Sequence, residues 1–346
     1  MNKKGHFNNE LAFGVELELL IPRGVSKSSV VEALNNNHDI TCKLEGYGHE
    51  TVEHWKMTTD CTVKSLSLGY THYGNNELVS PKLYGQNGKE QLKTVLRVLN
   101  ELDCKVNKTC GTHVHHDVTD VMLKSKEVVT SFLNTLIKTV VKYEHIIYRL
   151  IAPSRLKKIG RGWWTKPARV VFGQWWGQEI SVKSITKKID DNLKIDCDRK
   201  YENSGAGVNT SNNPRETQGS RYCGLNLKNI WTRGSVEFRY HQGTLSFEKL
   251  WAWIVFTQAF VVVSKENSRV NFTNVQTNEA GMFHLRKAIG FIGSKDRCED
   301  IKFANKVITK RFAELNTSAM NASRRGTKYF NTIKEQLQRG AKLCAD

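Results

Sequence analysis

No two of the eight cysteines, at positions 42, 61, 104, 110, 197, 223, 298 and 344, form a Cys-x-x-Cys pair. Their scatter gives neither a zinc-finger spacing nor a compact disulfide framework, and reduced thiols in a cytoplasmic protein are the expectation. The start, Met1–Glu10, is polar and lacks the apolar stretch of a secretory signal. Long hydrophobic runs are also scarce. The most apolar one, Leu250–Val263, is interrupted by Thr257 and Gln258 and falls short of the ~18–20 residues that span a bilayer, so a buried helix is expected there and no membrane partner. No internal repeat is present. Acid is in short supply: 52 Lys and Arg stand against 34 Asp and Glu in 346 residues, a net charge of +18. That imbalance favours nucleic acid, anionic surfaces or polyanionic small molecules as partners. The length allows one large domain or two modest ones.

The patterning that is present divides the chain. Leu11–Ile21 is apolar and β-prone, and Ser26–Asn37 reads as a short helix with a serine cap. Val52–Met57 and Asn76–Ser80 read as short strands, Lys89–Asp103 as an amphipathic helix, Gly111–Asp117 as a strand and Val121–Ile151 as one long helix. Regular patterning fades between Arg155 and Ser220, and Asn203–Ser220 is rich in Gly, Asn, Ser and Thr, as a loop insertion would be. Tyr222–Asn229 and Ser235–His241 read as strands, followed by the apolar helix, which Ser246 is expected to cap. After Lys265 the chain becomes basic and helical.

Three strands carry polar pairs at i, i+2, which places each pair on one face. In FGVELEL, Glu16 and Glu18 share a face. In CGTHVHHDV, His113, His115 and Asp117 do. In GSVEFRYHQGTL, Glu237, Arg239 and His241 oppose Val236, Phe238 and Tyr240. A lone Glu-x-Glu is commonly the solvated face of an antiparallel sheet, and a lone His-x-His is commonly structural. If the strands are neighbours, however, their polar faces merge into a cluster of carboxylates, imidazoles and a guanidinium. Adjacent carboxylates repel, and a divalent cation relieves that repulsion. Oxygen-rich ligands with a minority of imidazole suit Mg²⁺ or Mn²⁺ better than zinc, and an arginine beside them is placed to hold phosphate oxygens. The pattern therefore points to phosphoryl chemistry with ATP. Glu77, in NNELVSP, and Asp60, in WKMTTDCTVKS, are further acids, each uninformative alone; Asp60 reads first as a turn former.

Taken in order, FGVELEL, Trp55 to Asp60, NELVSPKLYG, CGTHVHHD, RYCGLNL and VEFRYHQGTL resemble the amidoligase family, relatives of glutamine synthetase and the glutamate–cysteine ligases. The likeness covers about residues 11–265. It implies an α+β fold with a glutamine synthetase-like curved, largely antiparallel sheet forming a funnel, and helices packed outside. It implies an ATP-dependent carboxylate–amine ligase that works through an acyl phosphate, with Mg²⁺ or Mn²⁺. By the same resemblance Glu16, Glu18, His113 and Glu237 hold metal, Glu77 serves the second metal, His115 lies near the ATP phosphates and Arg239 contacts the transferring phosphate. Arg221 is a candidate phosphate or substrate contact, and Asp60 or an acid in the insertion a candidate base for the amine. His241 could be polar or structural.

The division that results is a catalytic part, 1–265, with a basic insertion at about 152–220, and a basic helical extension, 266–346. Arg149–Gln178 holds Arg149, Arg155, Lys157, Lys158, Arg161, Lys166 and Arg169, no acid, and two Trp pairs. It is either a solvated basic loop anchored by tryptophan or a surface for a polyanion, since Trp stacks on bases while Lys and Arg hold phosphate. A nucleic-acid-linked substrate and an acidic peptide are both compatible with it. Two rival activities use the same residues: a metal-dependent phosphodiesterase or nuclease, and a catalytically silent nucleic-acid-binding protein on the same scaffold.

Overall fold

The computed structural model describes residues 7–46, 48, 51–65, 76–156, 158–159, 162–163, 168, 223–227, 229–266, 279–293 and 297–321. Arg221, most of the insertion and the end of the chain lie outside them.

The strands are β1 (Phe13–Leu19), β2 (Cys42–Leu44), β3 (Trp55–Thr58), β4 (Asn76–Val79), β5 (Thr112–Asp117), β6 (Lys158–Ile159), β7 (Gly162–Trp163), β8 (Leu225–Asn226) and β9 (Ser235–Phe238). The helices are α1 (Lys27–Asn35), α2 (Gly85–Glu101), α3 (Thr119–Met122), α4 (Lys126–Ile147), α5 (Ile230–Arg233), α6 (Phe247–Glu266), α7 (Glu279–Ala288) and α8 (Glu299–Asn321). Seven strands form one open sheet in the order β2-β3-β4-β1-β5-β9-β8, while β6 and β7 pair separately. Within the large sheet every neighbouring pair is antiparallel except β2 with β3. The fold is mixed α+β, and the described elements include helices packed against one face of the sheet.

The three strands with polar pairs are adjacent at the centre of this sheet. β1 alternates as read: Val15, Leu17 and Leu19 are buried in the core, and Glu16 and Glu18 occupy the other face. The core face is covered by α6, in which every residue from Leu250 to Ser264 is buried, the behaviour of a helix that is apolar all round. The helix is long and apolar enough to cross a membrane, yet 83% of that stretch is buried inside the fold. Its polar residues are satisfied there: His116 Nε2 meets Thr257 Oγ1 at 2.8 Å, and Gln258 Oε1 accepts from the Asn8 amide at 2.9 Å. Phe238 of β9 packs against Phe260, ring centroids 6.2 Å apart. α8 lies on α6 through Ile301, Ala304, Ile308 and Phe312.

Local signals hold in part. Ser26 caps α1, its side chain accepting from the Ser29 amide at 3.0 Å. α2 begins four residues before Lys89, and β3 begins at Trp55 rather than Val52. The expected helix Val121–Ile151 is two helices, because the chain turns at Leu123–Ser125 before α4 starts. The expected strands Tyr222–Asn229 and Ser235–His241 shorten to β8 and β9, since the chain beyond Phe238 leaves the regular ladder.

Candidate metal and phosphate site

Strand register determines which side chains meet. Glu16 lies opposite His113, Gly14 opposite His115, Glu18 opposite Glu77, and His115 opposite Glu237. Four strands thus deliver acids and imidazoles to one face. Glu16 Oε2 is 2.7 Å from His113 Nδ1, and Glu16 Oε1 is 3.1 Å from His115 Nε2. Glu237 Oε1 lies 3.7 Å from His113 Nδ1 and 3.9 Å from His115 Nε2. Three groups of donors, each within 4.8 Å of one another, overlap along this face: Glu18–Asp60–Glu77, Glu16–Glu77–His113 and Glu16–His115–Glu237.

The members are held by the surrounding backbone and side chains. Glu18 Oε2 accepts from the Gly111 amide at 2.6 Å. Glu237 Oε2 accepts from Asn226 at 2.6 Å and Asn229 at 3.3 Å, and its other oxygen is paired with Arg239. Asp60 sits in a turn and accepts from the Thr62 amide at 2.6 Å. Lys27 secures the approach to that turn, donating to Thr58 O and Thr59 Oγ1, both at 2.8 Å. The two asparagines and Lys27 drew no notice in the sequence. Asn226 had a signal, because it occupies the polar phase of the short strand paired with β9; Lys27 had none, because its partners are distant in sequence.

The electrostatics are those of crowded carboxylates. Burial pushes Glu77 up, and the neighbouring charges of Glu16, Asp60 and Glu18 push it further, to about 9. Burial also opposes ionisation of Glu16, yet His115 and His113 beside it hold its carboxyl well below the usual range. For Glu237 burial is likewise outweighed, here by Arg239 and His115. Arg239 is raised above an ordinary guanidinium because Glu237 and Glu16 outweigh its burial.

The residues suit hard divalent cations. The donors are carboxylates with two imidazoles and no thiol. His113 Nδ1 faces Glu16, while its buried Nε2 has no hydrogen-bond partner among the described residues and is available to a cation. A proton held at Glu77 is what such a cation would displace.

Of the sequence-derived candidates, Glu16, Glu18, Glu77, Asp60, His113, His115, Glu237 and Arg239 come together. His241 does not. Because β9 ends at Phe238, the alternation fails, and the buried His241 ring packs 5.0 Å from Trp253 of α6, with Nδ1 on the Gln242 carbonyl at 2.6 Å. Burial pulls its pKa down to about 3, which makes it a neutral structural imidazole. Asp117 is drawn to the margin, where it pairs with Lys82 and accepts from the Thr119 amide at 2.8 Å. Arg221 lies outside the described residues. An open cleft borders Glu16 and His115, with Lys82, Asp117, Arg233 and Ser235 in its wall.

A central, largely antiparallel sheet has one face apolar and helix-covered and the other lined with acids, imidazoles and a guanidinium, which defines an α+β protein with a candidate cation site. Residues 9–261 match the family described as "Putative amidoligase enzyme", and the chain belongs to that family. No curated protein matches it. Among solved structures it is similar to the crystal structure of a bifunctional glutathione synthetase from Pasteurella multocida, at 12% identity and a TM-score of 0.40, over 97% of this chain and 52% of that one. The chain spans about half the length of that enzyme.

Proposed function

We propose that this amidoligase-family protein joins a carboxylate to an amine at the expense of ATP, by way of an acyl phosphate. The observation that carries the reading is the convergence of Glu16, Glu18, Asp60, Glu77, His113, His115 and Glu237 around overlapping donor groups, with Arg239 beside Glu237. Glu16, His115 and Glu237 would hold one Mg²⁺ or Mn²⁺ and Glu18, Asp60 and Glu77 another, with Glu16, Glu77 and His113 as the donor group that links the two positions, so that Glu16 serves both. Bound there, the cations supply charge neutralisation for the transferring phosphoryl group. Arg239 stabilises the phosphoryl oxygens, and His115 faces the nucleotide side, where the cleft with Lys82 and Arg233 accepts the remaining phosphates. The polar face of the sheet would then be the floor of a glutamine synthetase-like funnel. Asp60, assigned from sequence as a candidate base, fits better as a cation ligand, since it shares a donor group with Glu18 and Glu77. Arg221 remains a proposed substrate contact.

The net charge of +18 supports a polyanionic substrate, either nucleic-acid-linked or an acidic peptide, met by the basic insertion and the residues after 265. The test is incubation with ATP, Mg²⁺ and a panel of amino acids, peptides and nucleic acids. The expected outcome is ADP together with a product lighter by one water than its two precursors. Degradation of nucleic acid with metal alone would instead establish a phosphodiesterase. Nucleic-acid binding that weakens with salt, without any nucleotide binding, would establish a silent binding protein.

A further inference from the structure

The chain leaving α4 returns to the polar face of the sheet. Just before the short turn Pro153–Leu156 the Ala152 amide donates to Gln242 Oε1 at 2.8 Å, and within it Arg155 Nη2 donates to the Arg239 carbonyl at 2.9 Å. Arg155 is buried, 6% exposed. Its guanidinium occupies the space a side chain at 111 would take: a Cβ there would lie 2.9 Å from Nη1 and 3.0 Å from Nη2. Gly111 is bridged to Gln242 and continues the alternation of β5, so that missing side chain faces the same way as those of His113 and His115. Arg155 therefore lies on the functional face, next to the Gly111 amide that holds Glu18. Burial pulls its pKa down to about 10, with Glu18 favouring its charge and Arg239 opposing it.

We propose that Arg155 is a positioning residue for Arg239. The regular ladder of β9 ends at Phe238, one residue short of the guanidinium that the ligase reading assigns to phosphate. The Arg239 amide donates to the Gly224 carbonyl at 2.8 Å, and Arg155 takes up its carbonyl. The two bonds fix the peptide planes on either side of the Arg239 Cα, and with them the direction of its side chain toward Glu237. The root of the basic insertion thereby sets the phosphate-contacting arginine. Glycine at 111 is required because any side chain would displace the guanidinium that makes the bond.

The inference rests on the proposed ligase function and is tested with the full chain, using Mn²⁺ alone and Mn²⁺ with the non-hydrolysable ATP analogue AMP-PNP. Arg155→Met is expected to weaken AMP-PNP binding, measured calorimetrically, by about tenfold or more. Binding of Mn²⁺ alone, followed by electron paramagnetic resonance, is expected to be unchanged. Arg155→Lys recovers part of the affinity, since an ammonium can reach the carbonyl with one donor but lacks the planar fork. Gly111→Ala keeps the charge and displaces the guanidinium; it weakens AMP-PNP binding in the same direction and serves if the Met variant does not fold. Wild-type AMP-PNP affinity in either folded variant overturns the proposal. So does a parallel loss of Mn²⁺ binding, which would mark Arg155 as structural support only, or a Lys variant no better than Met. Wild-type protein that takes up Mn²⁺ but no AMP-PNP sinks the ligase reading instead.

Discussion

Glu16 belongs to two of the three donor groups, whereas Glu18 belongs to one. Glu16→Gln is accordingly expected to lower Mn²⁺ occupancy at more than one position, and Glu18→Gln to remove only the occupancy shared with Asp60 and Glu77. Counting bound Mn²⁺ by electron paramagnetic resonance separates the two, and equal stoichiometry in both variants would refute the overlapping arrangement. Glu77 makes a prediction about pH. Its carboxyl is raised from an ordinary value of 4.5 to about 9, so between those values the folded protein holds a proton that the unfolded chain has released. Stability of the metal-free protein should therefore fall as pH rises across this window, and the fall should be reduced in Glu77→Gln. Mg²⁺ should flatten the curve as well, releasing a proton on binding near pH 7. Thermal melts at several pH values, with and without Mg²⁺, check the sign. The individual acids were all visible in the sequence. What no single residue revealed was that Asp60, which a turn alone would explain, closes a donor group with Glu18 and Glu77.

Element boundaries show where local signals suffice and where they are overridden. The cap at Ser26 and the alternation of β1 appear as their residue types dictate, because both depend on neighbours a few positions away. The run after Val121 keeps an apolar helical pattern, but the chain turns at Leu123–Ser125, and α3 and α4 are separate helices. Of the two roles open to His241, the structural one holds for a related reason: alternation is a property of the ladder, and the regular ladder stops at Phe238. Gly88 in α2 illustrates a reversal of propensity. An alanine in a helix interior normally stabilises by about 1 kcal/mol over glycine. At 88, however, a Cβ would sit 2.8 Å from the Cβ of Leu83 and 3.1 Å from its carbonyl carbon. Gly88→Ala is expected to destabilise by about 1–3 kcal/mol, as overpacking does, measurable by urea denaturation.

At the scale of the molecule, Asp300 at the start of α8 joins three helices, its Oδ1 accepting from Lys89 of α2 at 2.7 Å and from Trp251 of α6 at 2.8 Å. Asp300→Ala should cost about 1–3 kcal/mol by leaving the indole and ammonium without their acceptor. Asp300→Asn, which keeps an acceptor for the indole, should cost less; a melting temperature unchanged in both would show that α8 is not anchored there. The segment that contains α8 is basic and helical in sequence, and the structure uses its apolar stripe, Ile301, Ala304, Ile308 and Phe312, to extend the core. By itself the sequence determined the helices and strands with strong local periodicity, the surplus of positive charge, and the residue types, in order, that mark the family. The tertiary structure alone decided that four strands remote in sequence lie side by side in register, that His241 belongs to the core, and that Arg155 reaches the functional face. Periodicity is encoded over a few residues, whereas the meeting of Glu16, Glu77, His113 and Glu237 depends on which strands pair and in what register, and that is settled by burying the opposite face of the sheet against α6.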